Sequence, residues 1–146
     1  MNLSVKIKEP NSSLGKIKLA RGLYEEMKQI REMRDIAGWY LGKILYYFDK
    51  YKLHNYLFGK ALSKNAFYAE IDIPHSTVSY YITLYEFYIV DNQIDFKLLR
   101  NSATRKLHRA IPLLKGKPKD KIMEAVELAK RETLSLSDYL ENIKEI

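Results

Sequence analysis

Between residues 23 and 48 the apolar side chains Leu23, Met27, Ile30, Met33, Ala37, Leu41, Ile44 and Phe48 recur in steps of three and four. That spacing lines one face of an α-helix. It predicts a long helix, opened by a cap at Ser12 or Ser13 and running to about residue 51. Gly38 and Gly42 flank the single tryptophan, Trp39. Each glycine weakens a helix by up to ~1 kcal/mol relative to alanine, so the pair predicts close approach of a neighbouring helix, or a kink. Ahead of the helix, Leu3, Val5 and Ile7 alternate weakly before Pro10, and residues 1–11 read as a flexible, extended arm.

Downstream the pattern predicts shorter elements. A brief helix covers 53–60 with Gly59 as its stop, and Ser63 caps a helix over 66–71. Pro74 then breaks the chain before a helix over about 76–90, closed by the turn Asp91-Asn92-Gln93. Residues 96–114 read as one amphipathic helix with Leu99, Ala103, Leu107, Ala110 and Leu114 inward. Its outward face carries Lys97, Arg100, Arg105, His108 and Arg109, and Pro112 should disturb or end it. Residues 115–119 are a loop, and 122–131 and 137–146 are the last helices, the second opened by a Ser or Asp cap. Little strand pattern is present. The expected fold is all-α, a helical bundle forming a single helical domain over 12–146.

Composition narrows the class. At 146 residues, with 47% hydrophobic and 29% charged side chains, the chain has the balance of a globular protein with one good core. Zero cysteines exclude disulfides, thiolate zinc sites and cysteine nucleophiles. No apolar run approaches the roughly 18 residues of a membrane span, and charges occupy the N-terminus where a signal peptide has its apolar core. The expectation is a cytoplasmic protein with no membrane partner.

The net charge of +7 is unevenly distributed. Residues 1–60 hold 12 basic and 6 acidic side chains, and residues 96–121 hold 9 and 1. By contrast, 61–95 hold 1 basic and 5 acidic, and 122–146 hold 3 and 6. An anionic partner is attracted to residues 1–60 and 96–121.

Residues 63–82 carry the local requirements of a helix-turn-helix. Phe67 and Ile71 form the apolar face of the first helix, Asp72 takes the turn, Ile73 plugs it, and Val78 with Ile82 pins the second helix. The run Ile73-Pro74-His75-Ser76-Thr77-Val78-Ser79-Tyr80-Tyr81-Ile82 resembles the turn and recognition helix of repressors of the lac and phage lambda type. The resemblance covers about twenty residues. In such proteins the turn position is usually glycine, a small alanine precedes it, and a basic residue is common at the position of Tyr80. The resemblance implies binding to double-stranded DNA, with base contacts from His75, Ser76, Ser79, Tyr80 and Thr83. The recognition segment has no Lys or Arg, so phosphate contacts must come from flanking elements, and base edges are read by hydroxyls, imidazole and apolar atoms.

Arg105, Arg109, Lys115, Lys117, Lys119 and Lys121 are the candidate phosphate contacts. A solvated lysine loop is the plainer alternative for the last four. In the first helix the basic residues alternate with Glu25, Glu26 and Glu32, which suits a solvated, intrahelically paired face. His54, His75 and His108 lack metal-ligand spacing, and no glycine-rich phosphate loop, nucleophile elbow or zinc-binding helix is present. Neither cofactor nor enzymatic activity is expected. Operators are usually read by symmetric dimers, and the face of Leu23, Met27, Ile30, Ala37 and Leu41 is the candidate for homo-oligomerisation. The overall expectation is a small helix-turn-helix regulator, or a phage, plasmid or mobile-element factor for transcription, partition or packaging. The alternative is a helical adaptor for a protein partner, with the helix-turn-helix only a structural corner.

Overall fold

Ser12 opens the first helix by accepting the N–H of Gly15 on its Oγ at 3.0 Å, which satisfies one of the amide donors a helix start leaves over. The computed structural model describes residues 6–57 and 62–146; Leu3, Val5 and the stop expected at Gly59 lie outside them. Helix α1 is Ser13–Lys50. A 3₁₀ turn follows at Leu53–Tyr56, then α2 (Lys64–Glu70) and α3 (His75–Tyr85). A π-helical continuation, Glu86–Asp91, prolongs α3. The last elements are α4 (Phe96–Leu99), α5 (Thr104–Leu114), α6 (Lys119–Ala129) and α7 (Leu136–Lys144). The protein is all-α, with no strand among the described residues.

Where the sequence pattern predicts one domain over 12–146, the chain divides into two compact units, Met1–Arg34 and Asp35–Ile146. The boundary falls inside α1, whose first buried residue is Gly38. In the first unit, Leu14, Ile17, Leu23, Tyr24, Met27, Ile30 and Met33 are all exposed. The face carrying Arg21, Glu25, Lys28, Gln29 and Glu32 is hydrophilic, and Lys28 lies 3.8 Å from Glu25 along the helix.

The second unit has two apolar clusters. The larger gathers Trp39, Leu84, Tyr88, Leu99, Leu107, Val126, Tyr139 and Ile143 with their neighbours, and α5 packs on α3, α6 and α7 around it. Its two largest fully buried side chains each carry a hydroxyl, and both are satisfied: Tyr88 donates to the Leu107 carbonyl at 2.6 Å and Tyr139 to the Ala125 carbonyl at 3.1 Å. Burial pushes both phenols well above their ordinary pKa. The smaller cluster is Leu45, Phe67, Tyr68 and Val78, with Leu41, Ile71, Ile73 and Ile82 against it.

The paired glycines of α1 mark a close approach. A Cβ on Gly42 would stand 2.5 Å from the Tyr81 carbonyl oxygen, and one on Gly38 would collide with the Tyr81 ring. The continuous helix expected over 96–114 is two helices. Asp95 caps α4 by accepting the N–H of Lys97, and the chain then turns through Asn101 at φ 65° before α5 begins. An apolar period that continues across the break conceals it. Pro112 lies inside α5, which ends two residues later. The 53–60 helix reduces, among the described residues, to the single 3₁₀ turn.

Candidate nucleic-acid interface

The helix-turn-helix corner is built as its apolar positions dictate. Ser63 caps α2 by accepting the N–H of Ala66 at 3.1 Å. Asp72 adopts φ 54°, the left-handed turn conformation that aspartate enters more readily than most non-glycine residues. Ile73 then enters the smaller cluster as the plug, and Val78, only 2% exposed, and Ile82 hold α3 against Phe67 and Ile71. Pro74 occupies the position before α3, where its missing N–H costs no helical hydrogen bond.

With that side of α3 pinned, His75, Ser76, Ser79 and Thr83 are exposed. His75, Ser79 and Thr83 share a shallow groove of about 130 Å³ with Asp49, Lys64 and Tyr68. Asp49 binds the Lys64 ammonium at 2.7 Å, and this hydrogen bond raises the lysine pKa above its ordinary value. Burial raises that of Tyr68. The His75 imidazole meets the Tyr68 ring edge-on at 5.5 Å. Lys64 and Asp49 are absent from the contacts expected from sequence. The available signal is that Lys64 is the lone basic residue of 61–95 and directly follows the helix cap.

Tyr80 differs from the sequence expectation. It does not project outward with Ser79 but is half-buried against α5. Its ring lies 4.4 Å from that of His108, its hydroxyl donates to Thr104 Oγ1 at 3.3 Å, and Thr104 donates onward to Asp35 Oδ1 at 3.3 Å. The physical reason is that α3 is covered on two sides, by the smaller cluster through Val78 and by α5 through Tyr80. His108, expected outward, is part of the same contact. Burial, and secondarily the Arg109 charge, hold its pKa below the ordinary histidine value.

The basic residues separate into two groups. Arg105 and Arg109 are exposed on α5, each next in sequence to a residue that touches Tyr80. The lysine loop lies elsewhere. Lys119 donates to the Gln93 carbonyl at 3.3 Å, beyond the far end of α3 and roughly 27 Å along the helix from His75 at 1.5 Å per residue. Lys117 donates to the main-chain oxygen of Ile146 at 3.1 Å, and Lys121 lies 3.7 Å from Glu124. Lys115 is exposed. The arginines thus lie on the helix that packs against α3, whereas Lys119 reaches the segment after it.

The candidate oligomer face also divides. Leu23, Met27, Ile30 and Ala37 are exposed, whereas Leu41 packs into the smaller cluster and is withdrawn from any such face. No described group of three or more His, Asp or Glu could hold a metal ion. Among the described residues no helix is long and apolar enough to cross a membrane. Comparison of the chain with protein-family models, with curated proteins and with solved structures finds no match.

Proposed function

We propose that the protein binds double-stranded DNA through the exposed edge of α3, as a small cytoplasmic regulator or mobile-element factor without enzymatic activity. One observation carries the reading. Ser76, Ser79 and Thr83 are exposed on a helix held down by Val78 and Ile82, and Arg105 and Arg109 are exposed on α5, which packs on that helix. Hydroxyls and the His75 imidazole can exchange hydrogen bonds with base edges, and guanidinium groups suit phosphate oxygens. Tyr80 leaves the reading set and becomes the strut that fixes α3 against α5. The lysine loop can add attraction to a polyanion but no register.

The adaptor reading is favoured by a different observation. The groove along α3 includes the carboxylate of Asp49, and Glu70, Asp72 and Glu86 are exposed on the same segment, so the local charge does not favour phosphate.

Selection from a pool of randomised duplexes, followed by competition titration against scrambled duplex, separates the two. Enrichment of one sequence family, with discrimination reduced by roughly 1–3 kcal/mol per lost base contact in a Ser76→Ala, Ser79→Ala, Thr83→Ala variant, supports the DNA reading. Affinity that depends only on salt and not on sequence sinks it as a specific reader and leaves the adaptor.

A further inference from the structure

The first unit presents a seam on α1. Assigning Ala20, Met27 and Arg34 to position a of a heptad puts Leu23 and Ile30 at d. Leu19, Glu26 and Met33 then fall at g, with Ile17, Tyr24 and Arg31 at e. Leu23 is 40% exposed, Ile30 48% and Met27 58%. Positions b, c and f hold Lys18, Arg21, Gly22, Glu25, Lys28, Gln29 and Glu32, so the apolar and hydrophilic faces separate cleanly. The Lys28–Glu25 ion pair joins b to f, away from the seam.

We infer that residues 19–33 of α1 pair with the same segment of a second copy of this chain, as a short, parallel, in-register two-stranded coiled coil. Charge decides both the partner and its direction. In a parallel pair each g residue meets the e residue five positions on in the other helix. Glu26 of one copy then faces Arg31 of the other, and Leu19 faces Tyr24, each twice by symmetry. In an antiparallel pair that keeps the apolar layers together, Ala20 stacks on Ile30 and Leu23 on Met27, g meets g, and Glu26 faces its own copy. The sequence thus complements itself in one orientation and repels itself in the other.

Four apolar layers are few for a free coiled coil. Here the segment continues a helix already held in a core at Trp39 and Leu45, so no separate helix nucleus has to form. The pairing does not depend on DNA binding, and its test uses none.

The chain has no cysteine, so engineered thiols report geometry directly. In the full-length protein under mild oxidation, Ile30→Cys should form a disulfide-linked dimer by itself. An equimolar mixture of Ala20→Cys and Ile30→Cys chains should give no mixed 20–30 product, because those positions are roughly 15 Å apart along a parallel pair. Sedimentation equilibrium of the unmodified protein should give a reversible dimer in the tens of micromolar. Leu23→Glu should remove it, Glu26→Arg should weaken it at least fivefold, and Glu26→Arg with Arg31→Glu should restore it to within twofold. The fluorescence of Trp39 in the second unit checks that each variant keeps its core. A mixed 20–30 crosslink in place of the 30–30 product would overturn the parallel assignment. A monomer at several hundred micromolar, with Trp39 emission unchanged, would overturn the pairing altogether.

Discussion

The Tyr80 ring lies 4.4 Å from the His108 imidazole, with the two planes inclined by 33°. The second turn of α3 is therefore clamped to α5 at the point where the helix also offers Ser79 to solvent. Adjacent residues then have opposite roles. Tyr80→Ala should cost roughly 1–3 kcal/mol, less than for a fully buried aromatic because the ring is only partly enclosed, while Ser79→Ala should change stability by no more than about 0.5 kcal/mol. Urea titration followed through Trp39 emission measures both. Equal effects would mean that the ring is not held by α5.

His108 predicts a pH dependence. Its pKa is lowered in the fold, chiefly by burial and secondarily by Arg109, so as pH falls through the ordinary histidine value of about 6.5 the unfolded chain takes up the proton first. Stability is fully present above that pH and is lost as pH falls from there toward the folded value. The expected result is a lower denaturation midpoint at pH 5 than at pH 7.5, and a shallower pH slope in His108→Gln. A slope unaltered by the substitution would place the dependence in another group.

Gly42 and Gly38 should respond differently to alanine. A Cβ at Gly42 meets the backbone carbonyl of Tyr81, which cannot move without shifting α3, whereas a Cβ at Gly38 meets the Tyr81 ring, which has rotamers to use. Alanine also gains up to ~1 kcal/mol of helix propensity at either site. Gly42→Ala should lose a net of roughly 1–3 kcal/mol through overpacking, and Gly38→Ala clearly less. Thermal melts of the pair rank them, and the reverse order would contradict the packing of α1 on α3.

For duplex binding, the two basic groups should separate by salt dependence. Replacing Arg105 and Arg109 by Gln should lower the slope of log affinity against log salt by about 1.8, at roughly 0.9 per phosphate contact. Replacing Lys115, Lys117, Lys119 and Lys121 together should lower it by less, because that loop lies beyond the far end of α3. A larger effect from the lysines would locate the phosphate track along the loop and α6.

The elements governed by local rules are legible in the sequence. The three-and-four spacing finds α1, the Ser63 cap is a side chain reaching its own helix, and Phe67, Ile71, Ile73, Val78 and Ile82 converge because helical period alone puts them on facing sides. Tyr80 is not legible in this way. Nothing within its own segment says that a helix from twenty-four residues downstream will cover it, and a tyrosine serves on a surface as well as in a core. The lysine run is a similar case: charge density is visible along the chain, but its distance from α3 is set by the turn at Asn101 and the course of α5. That turn is hidden because Leu99 and Ala103 keep the apolar rhythm on either side of it.

The π-helical continuation of α3 has a consequence for how this chain can change length. Over Glu86–Asp91 the winding is wider than α, and the Asn92 N–H reaches back five residues to the Phe87 carbonyl. Such a turn holds one residue more than an α-helix needs to cover the same span. Loss of a single residue there can be absorbed by tightening to α winding, with Ile94 and Leu99 still delivered to the core. The same loss within α5 would rotate Leu107, Ala110, Ile111 and Leu114 away from their partners. Among the described residues, a deletion in this segment should therefore cost less than one within α5, although it falls inside an element rather than in a loop.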